Sequence, residues 1–124
     1  MTPLWLLLLA GGALARDSQP PQIVRDKARI VILKTGGVNR FLLECVAIAE
    51  PAPTYHWFRD GEELVDEVEG VVRQDRADQS QLDFSSPRPE HAGNYHCEAA
   101  NTLGRARSSQ ARVVTSLPDP PAGT

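Results

Sequence analysis

The side chains best equipped for chemistry in this chain are two cysteines, Cys45 and Cys97, and three histidines, His56, His91 and His96. His56 and His96 fall in the segments 54–60 and 93–100, whose alternating polarity marks strands. If Trp57 stands opposite Cys97, an antiparallel pair sets His56 against Glu98 and Phe58 against His96. Two imidazoles and a carboxylate are zinc-ligand types, but zinc needs three or four ligands that converge. A flat sheet face makes a poor cage, so the expectation is a cross-strand His–Glu pair and no metal. No Ser-His-Asp arrangement, phosphate loop or dinucleotide fingerprint is present. The sequence therefore points to no enzyme and to no cofactor.

The elements that would hold these groups are short and alternate with period two. Segments 22–26 and 29–33 read as two edge strands that switch at Asp26-Lys27. The turn 34–40 carries Gly36-Gly37 and Asn39. Strand 41–48 puts Phe41, Leu43, Cys45 and Ala47 on one face. Its other face carries Leu42, Glu44, Val46 and Ile48. Scattered surface apolars are ordinary; a cluster such as Leu42, Val46 and Ile48 could also dock a partner. The next strand, 54–60, points Tyr55 and Trp57 inward and His56 and Phe58 outward. Asp60-Gly61 is a tight turn signal. The run 62–69 holds five acidic residues and reads as a short strand and a solvated, irregular edge. Strands 71–76 and 80–85 follow, the second with Leu82 and Phe84 inward. Strand 93–100 turns Tyr95, Cys97 and Ala99 inward, and 105–115 reads as one final strand.

These residues resemble a known family. The run 43–113 resembles an intermediate-set immunoglobulin domain, through LECVA, PAPTYHWFRDG, QLDF, AGNYHC and AANTLG. The resemblance implies an all-β sandwich of two sheets with one inter-sheet disulfide, Cys45–Cys97. It also implies a buried Trp57, and a corner at Tyr95 whose hydroxyl bonds back to the main chain. The bridge would occupy both cysteines and leave no free thiol nucleophile. Over 20–114 the chain is similar to the first domain of neural adhesion molecules of the neuroglian and neurofascin type. Two positions depart from that pattern. His91 stands where the family usually has an Asp that accepts hydrogen bonds near the corner, and Pro87 replaces an aliphatic residue. His91 is expected to replace the Asp only in part.

At 124 residues there is room for one domain, expected over 22–115. Residues 16–21 read as a flexible lead-in, and 116–124 as a proline-rich tail or linker stub. The apolar run 4–10, followed by Ala13-Leu14-Ala15, reads as a secretory signal at 1–15. The run is short of the roughly 20 apolar residues a membrane span needs. An exported chain is expected to carry its two cysteines oxidised. With 13 basic and 16 acidic residues, nothing suggests nucleic acid or a polybasic membrane anchor.

Binding is the function class that remains. The resemblance implies a secreted recognition module of cell adhesion. Its partner would be a cell-surface protein of the immunoglobulin superfamily, or a second copy, and it could modulate neural adhesion receptors. The alternatives are a carrier or antagonist of a soluble ligand, and a passive fragment of a longer receptor. The first candidate face is His56, Phe58, His96 and Glu98, since an aromatic among charged groups suits a protein interface. The second is Leu42, Val46 and Ile48.

Overall fold

Period-two alternation dictates the architecture: each strand has an apolar face, and two such faces must cover each other. The computed structural model describes residues 17–26, 28–33 and 40–115. The expected signal at 1–15 and tail at 116–124 lie outside these residues, as does most of the turn at 34–40. The strands are β1 (Gln19–Val24), β2 (Arg29–Leu33), β3 (Phe41–Glu50), β4 (Thr54–Arg59) and β5 (Glu62–Glu63). They continue with β6 (Val71–Asp75), β7 (Gln79–Phe84), β8 (Gly93–Asn101), β9 (Gly104–Arg107) and β10 (Ala111–Thr115). One sheet runs β1-β3-β7-β6. The other runs β2-β10-β8-β4-β5, with β9 also on β8. The fold is thus an all-β, two-sheet sandwich.

Its core is the set of inward positions. Phe41, Leu43, Cys45 and Ala47 come from β3, Tyr55 and Trp57 from β4, and Leu82 and Phe84 from β7. Tyr95, Cys97 and Ala99 of β8, Leu33 of β2 and Val113 of β10 complete it, and all are buried. Full burial of one large apolar side chain is worth about 1.5–3 kcal/mol. Cys45 and Cys97 form the bridge between the sheets, with their Cα atoms 6.2 Å apart. They are 52 residues apart in the chain, and closing such a loop stabilises the fold by about 4 kcal/mol in the chain-entropy model.

Two polar devices brace this core. Trp57 donates its Nε1–H to Ser80 Oγ at 2.8 Å. The Ser80 hydroxyl donates to Asp75, whose carboxylate accepts two bonds of 3.1 Å from Arg73. Arg73 in turn donates to the Tyr55 carbonyl at 2.6 Å. The chain of bonds runs from the buried indole to the surface and ties β6 and β7 of one sheet to β4 of the other. Burial alone would raise the Asp75 carboxyl; the bonds from Arg73 and Ser80 outweigh it and hold the group below its ordinary range.

The second device is the corner. Tyr95 donates its hydroxyl to the His91 carbonyl at 2.6 Å, and its ring meets Phe84 edge-on at 5.5 Å. His91 ends the short 3-10 turn Pro89–His91 and is itself buried. Its Nδ1 accepts the Arg88 backbone N–H at 2.9 Å. Nε2 therefore carries the proton and donates to the Glu69 carbonyl at 2.9 Å. An ionised Asp accepts only, whereas His91 both accepts at the corner and ties down the loop before β6.

The structure corrects two boundaries. First, β1 begins at Gln19, inside the expected flexible lead-in 16–21. Gln19 pairs with Glu50 across a register shift, and its carbonyl accepts from Asn101 at 2.8 Å. An edge strand tolerates Pro20 and Pro21, which lack N–H groups. Second, the expected final strand 105–115 is split. Ser108 turns aside to bond Cys97 through both backbone and hydroxyl, and Ser109 N–H binds Asp26. The short strand expected in the acidic run is there and is two residues long.

Ser80→Ala leaves the Trp57 N–H buried without a partner, and such a group costs about 1–3 kcal/mol. Urea unfolding at neutral pH is expected to show a loss of that size, with the m-value unchanged. His91→Ala removes two hydrogen bonds and a packed ring, and a loss of about 2–4 kcal/mol is expected in the same measurement.

Candidate functional site

The first candidate face is built by β4 and β8. Their register sets His56 opposite Glu98, Trp57 opposite Cys97 and Phe58 opposite His96, the expected pairing. The Phe58 and His96 rings stack at 4.6 Å, 2° from parallel. Phe58 is half-buried and forms the apolar plate of the face. His96 beneath it is only 4% exposed, so of the four expected contact residues it is the one withdrawn from solvent. Burial first, and the Arg107 guanidinium second, push its imidazole below the ordinary range; Glu98 opposes them.

The expected His56–Glu98 pair does not form. His56 Nδ1 donates to Glu63 on β5 at 2.8 Å, and Nε2 lies 3.2 Å from Thr54 Oγ1. Glu98 instead accepts from Arg105 on β9 at 3.0 Å, with His96 Nε2 at 3.4 Å. Both oxygens of Glu98 are thus occupied, one by the Arg105 guanidinium and the other by the His96 imidazole, while Glu63 lies within reach of His56. The alternation could not find Glu63 or Arg105, because both come from neighbouring strands whose register only the fold fixes. The result is an aromatic plate with a polar rim of His56, Glu63, Glu98 and Arg105.

The second candidate face lies on the other sheet. Ile48 and Leu42 are exposed there, and Val46 is half-buried beside Val24. Glu44 interrupts the series and accepts from Gln81 at 3.2 Å. Arg40 and Asp83 form an ion pair of 2.8 Å at the Leu42 end. Glu44 thus sets Leu42 apart from Val46 and Ile48, which are neighbours on the face. Leu43, Trp57, Leu82, Phe84 and Tyr95, named from the sequence as core, are all buried in the sandwich. Among the described residues no cysteine thiol is free, and no three His, Cys, Asp or Glu side chains converge as metal ligands. Likewise, among those residues no helix is long and apolar enough to cross a membrane.

The withdrawn His96 carries a pH signature. Its folded value lies below the 6.5 of the free side chain, so the unfolded chain takes up the proton first as pH falls. Its stabilising contribution is whole above about pH 6.5 and is lost as pH falls through the lower folded value. Unfolding free energies measured from about pH 7.5 down to pH 5 are expected to fall more steeply for the native chain than for His96→Gln.

The immunoglobulin domain family matches residues 20–101. The chain is 27% identical over 113 residues to Neuroglian of Drosophila melanogaster, covering 86% of this chain and 9% of that protein. It is 36% identical over 90 residues to Limbic system-associated membrane protein of Rattus norvegicus, covering 73% of this chain and 25% of that one. It therefore spans a quarter or less of these relatives. Among solved structures, a chimeric titin Z1Z2 matches with a TM-score of 0.70 at 23% identity, over 82% of this chain and 98% of that one. That likeness speaks for the fold alone. The family match, the bridged sandwich and the Tyr95 corner agree, and this chain belongs to the immunoglobulin domain family.

Proposed function

We propose that this chain is a recognition module of cell adhesion, exported through a cleaved segment at 1–15, that binds a protein at the cell surface. The observation that carries the reading is the Phe58 plate on β4, half-buried over His96 and framed by charged groups. An aromatic anchor inside a polar rim is the composition that concentrates binding energy at protein interfaces. The relatives support the class of partner. The chain resembles Neuroglian, and it resembles Limbic system-associated membrane protein, whose name places it at a membrane in the limbic system. The bridge Cys45–Cys97 supports export, because such bonds persist in oxidising compartments. A soluble form of such a module would act as a modulator of full-length adhesion receptors.

The exposed Ile48 and Leu42 favour a second reading, docking through β3. The two faces lie on opposite sheets, so single substitutions separate them. The test is binding of the chain to cells that display full-length neuroglian-type receptors, with bare cells as control. Saturable binding to the receptor cells alone is expected, and Phe58→Ala should weaken it by about 2 kcal/mol or more, as for a central aromatic anchor. Val46→Glu is expected to leave it unchanged. Loss with Val46→Glu alone would move the site to β3, and no binding at micromolar protein would sink the adhesion reading.

A further inference from the structure

Neither face accounts for how charge is distributed along the two edges of the sandwich. Glu62 and Glu63 form β5, which ends its sheet, and Asp66, Glu67 and Glu69 follow in the loop to β6, which ends the other. All five are exposed. β1 and β2 end the two sheets on the opposite side, where Arg25, Arg29 and the Arg112 of β10 are exposed. The bond from Arg73 to the Tyr55 carbonyl fixes β6 on the β4 side and so sets the acidic rim away from the basic one. Each rim also frames apolar groups. On β2, Ile30 and Ile32 are 68% and 55% exposed. On the acidic side, Leu64, Val65, Val68 and Val71 line a groove whose floor is the buried Leu82.

We propose that copies of this chain associate edge to edge, the basic rim of one on the acidic rim of the next. Ile30 and Ile32 of one copy then cover the groove at Leu64 and Val65 of its neighbour. Charge complementarity selects a second copy as the occupant. Among the described residues Arg25, Arg112, Asp66 and Glu67 make no ion pair within the domain, so their fields point outward. Complementary rims steer association and fix its register. The net charge of −3 is small enough that copies do not repel strongly. Two different surfaces meet at this contact, so it does not end at a two-fold dimer and repeats from copy to copy, in a row or a ring. The contact itself is made at Leu64, Val65, Asp66 and Glu67, beyond Glu63, the one residue this rim shares with the Phe58 face, and it does not rest on the recognition reading.

Sedimentation velocity of the chain over a concentration series tests the proposal. Species larger than dimers are expected to grow with concentration and to recede at about 0.5 M salt, where exposed charges are screened. The double variants Arg25→Glu with Arg112→Glu, and Asp66→Arg with Glu67→Arg, should each self-associate at least about tenfold more weakly. Mixed in equal amounts they should assemble again, because one carries two acidic rims and the other two basic ones. Ile32→Gln changes no charge and is expected to weaken assembly as well, which keeps the test open should a charge variant fail to fold. Phe58→Ala should leave assembly unchanged. A monomer at every concentration up to about millimolar, growth that stops at a dimer, or a mixture that stays monomeric would each overturn the proposal.

Discussion

The indole of Trp57 is where the two sheets of this domain are made to agree. It lies opposite Cys97 across the β4–β8 pair, in the same buried core as the Cys45–Cys97 bridge. A large ring is a good core filler only if its one polar atom is satisfied. Ser80, on the facing sheet and fully buried, supplies the acceptor. The bond therefore does more than satisfy the indole. It fixes the lateral position of β7 against β4, and with it the register of Leu82 and Phe84 over the other sheet. Asp75 and Arg73 orient the serine from outside. Packing alone tolerates small slides between sheets; a directed hydrogen bond in a low-dielectric core does not.

Much of this was legible in the residues. Alternation placed Phe41, Leu43, Cys45 and Ala47 on the buried side of β3, and Tyr95, Cys97 and Ala99 on that of β8. It works because a strand has only two sides and one of them is dry. It read Ser80 only as the start of a strand, because a serine carries no apolar signal even when its oxygen is needed in the core. It also gave one final strand where there are two, since 105–115 keeps a strand-like composition through Ser108 and Ser109. Those hydroxyl and amide groups are committed to Cys97 and Asp26, partners remote in the chain. Side-chain-to-backbone bonds of that kind compete with the ladder and have no periodic signature.

The candidate face shows the same limit from another side. Its members were placed correctly on β4 and β8, and the cross-strand register followed from one pairing assumption. What could not be read was which charges would meet. His56 turned to Glu63 and Glu98 turned to Arg105, each toward a strand added at the margin of the pair. The depth of His96 was equally hidden: an outward position becomes an inner one when its neighbour is a phenyl ring that lies flat upon it. Among immunoglobulin domains, then, position on a face is a matter of sequence, while exposure on that face is a matter of neighbours.

The pairing of β2 with β10 has a mechanical meaning. These strands lie near opposite ends of the domain's chain, yet they run parallel in an unbroken register from Arg29↔Ala111 to Leu33↔Thr115. Tension applied to the chain on either side of the domain pulls β2 and β10 along their lengths in opposite directions. The ladder is then loaded in shear, and its hydrogen bonds must yield together rather than one after another. A hairpin pulled from its open end would unzip bond by bond at lower force. Such a ladder would resist tension along the chain, with the Cys45–Cys97 bridge as a covalent stop behind it should the first strands part.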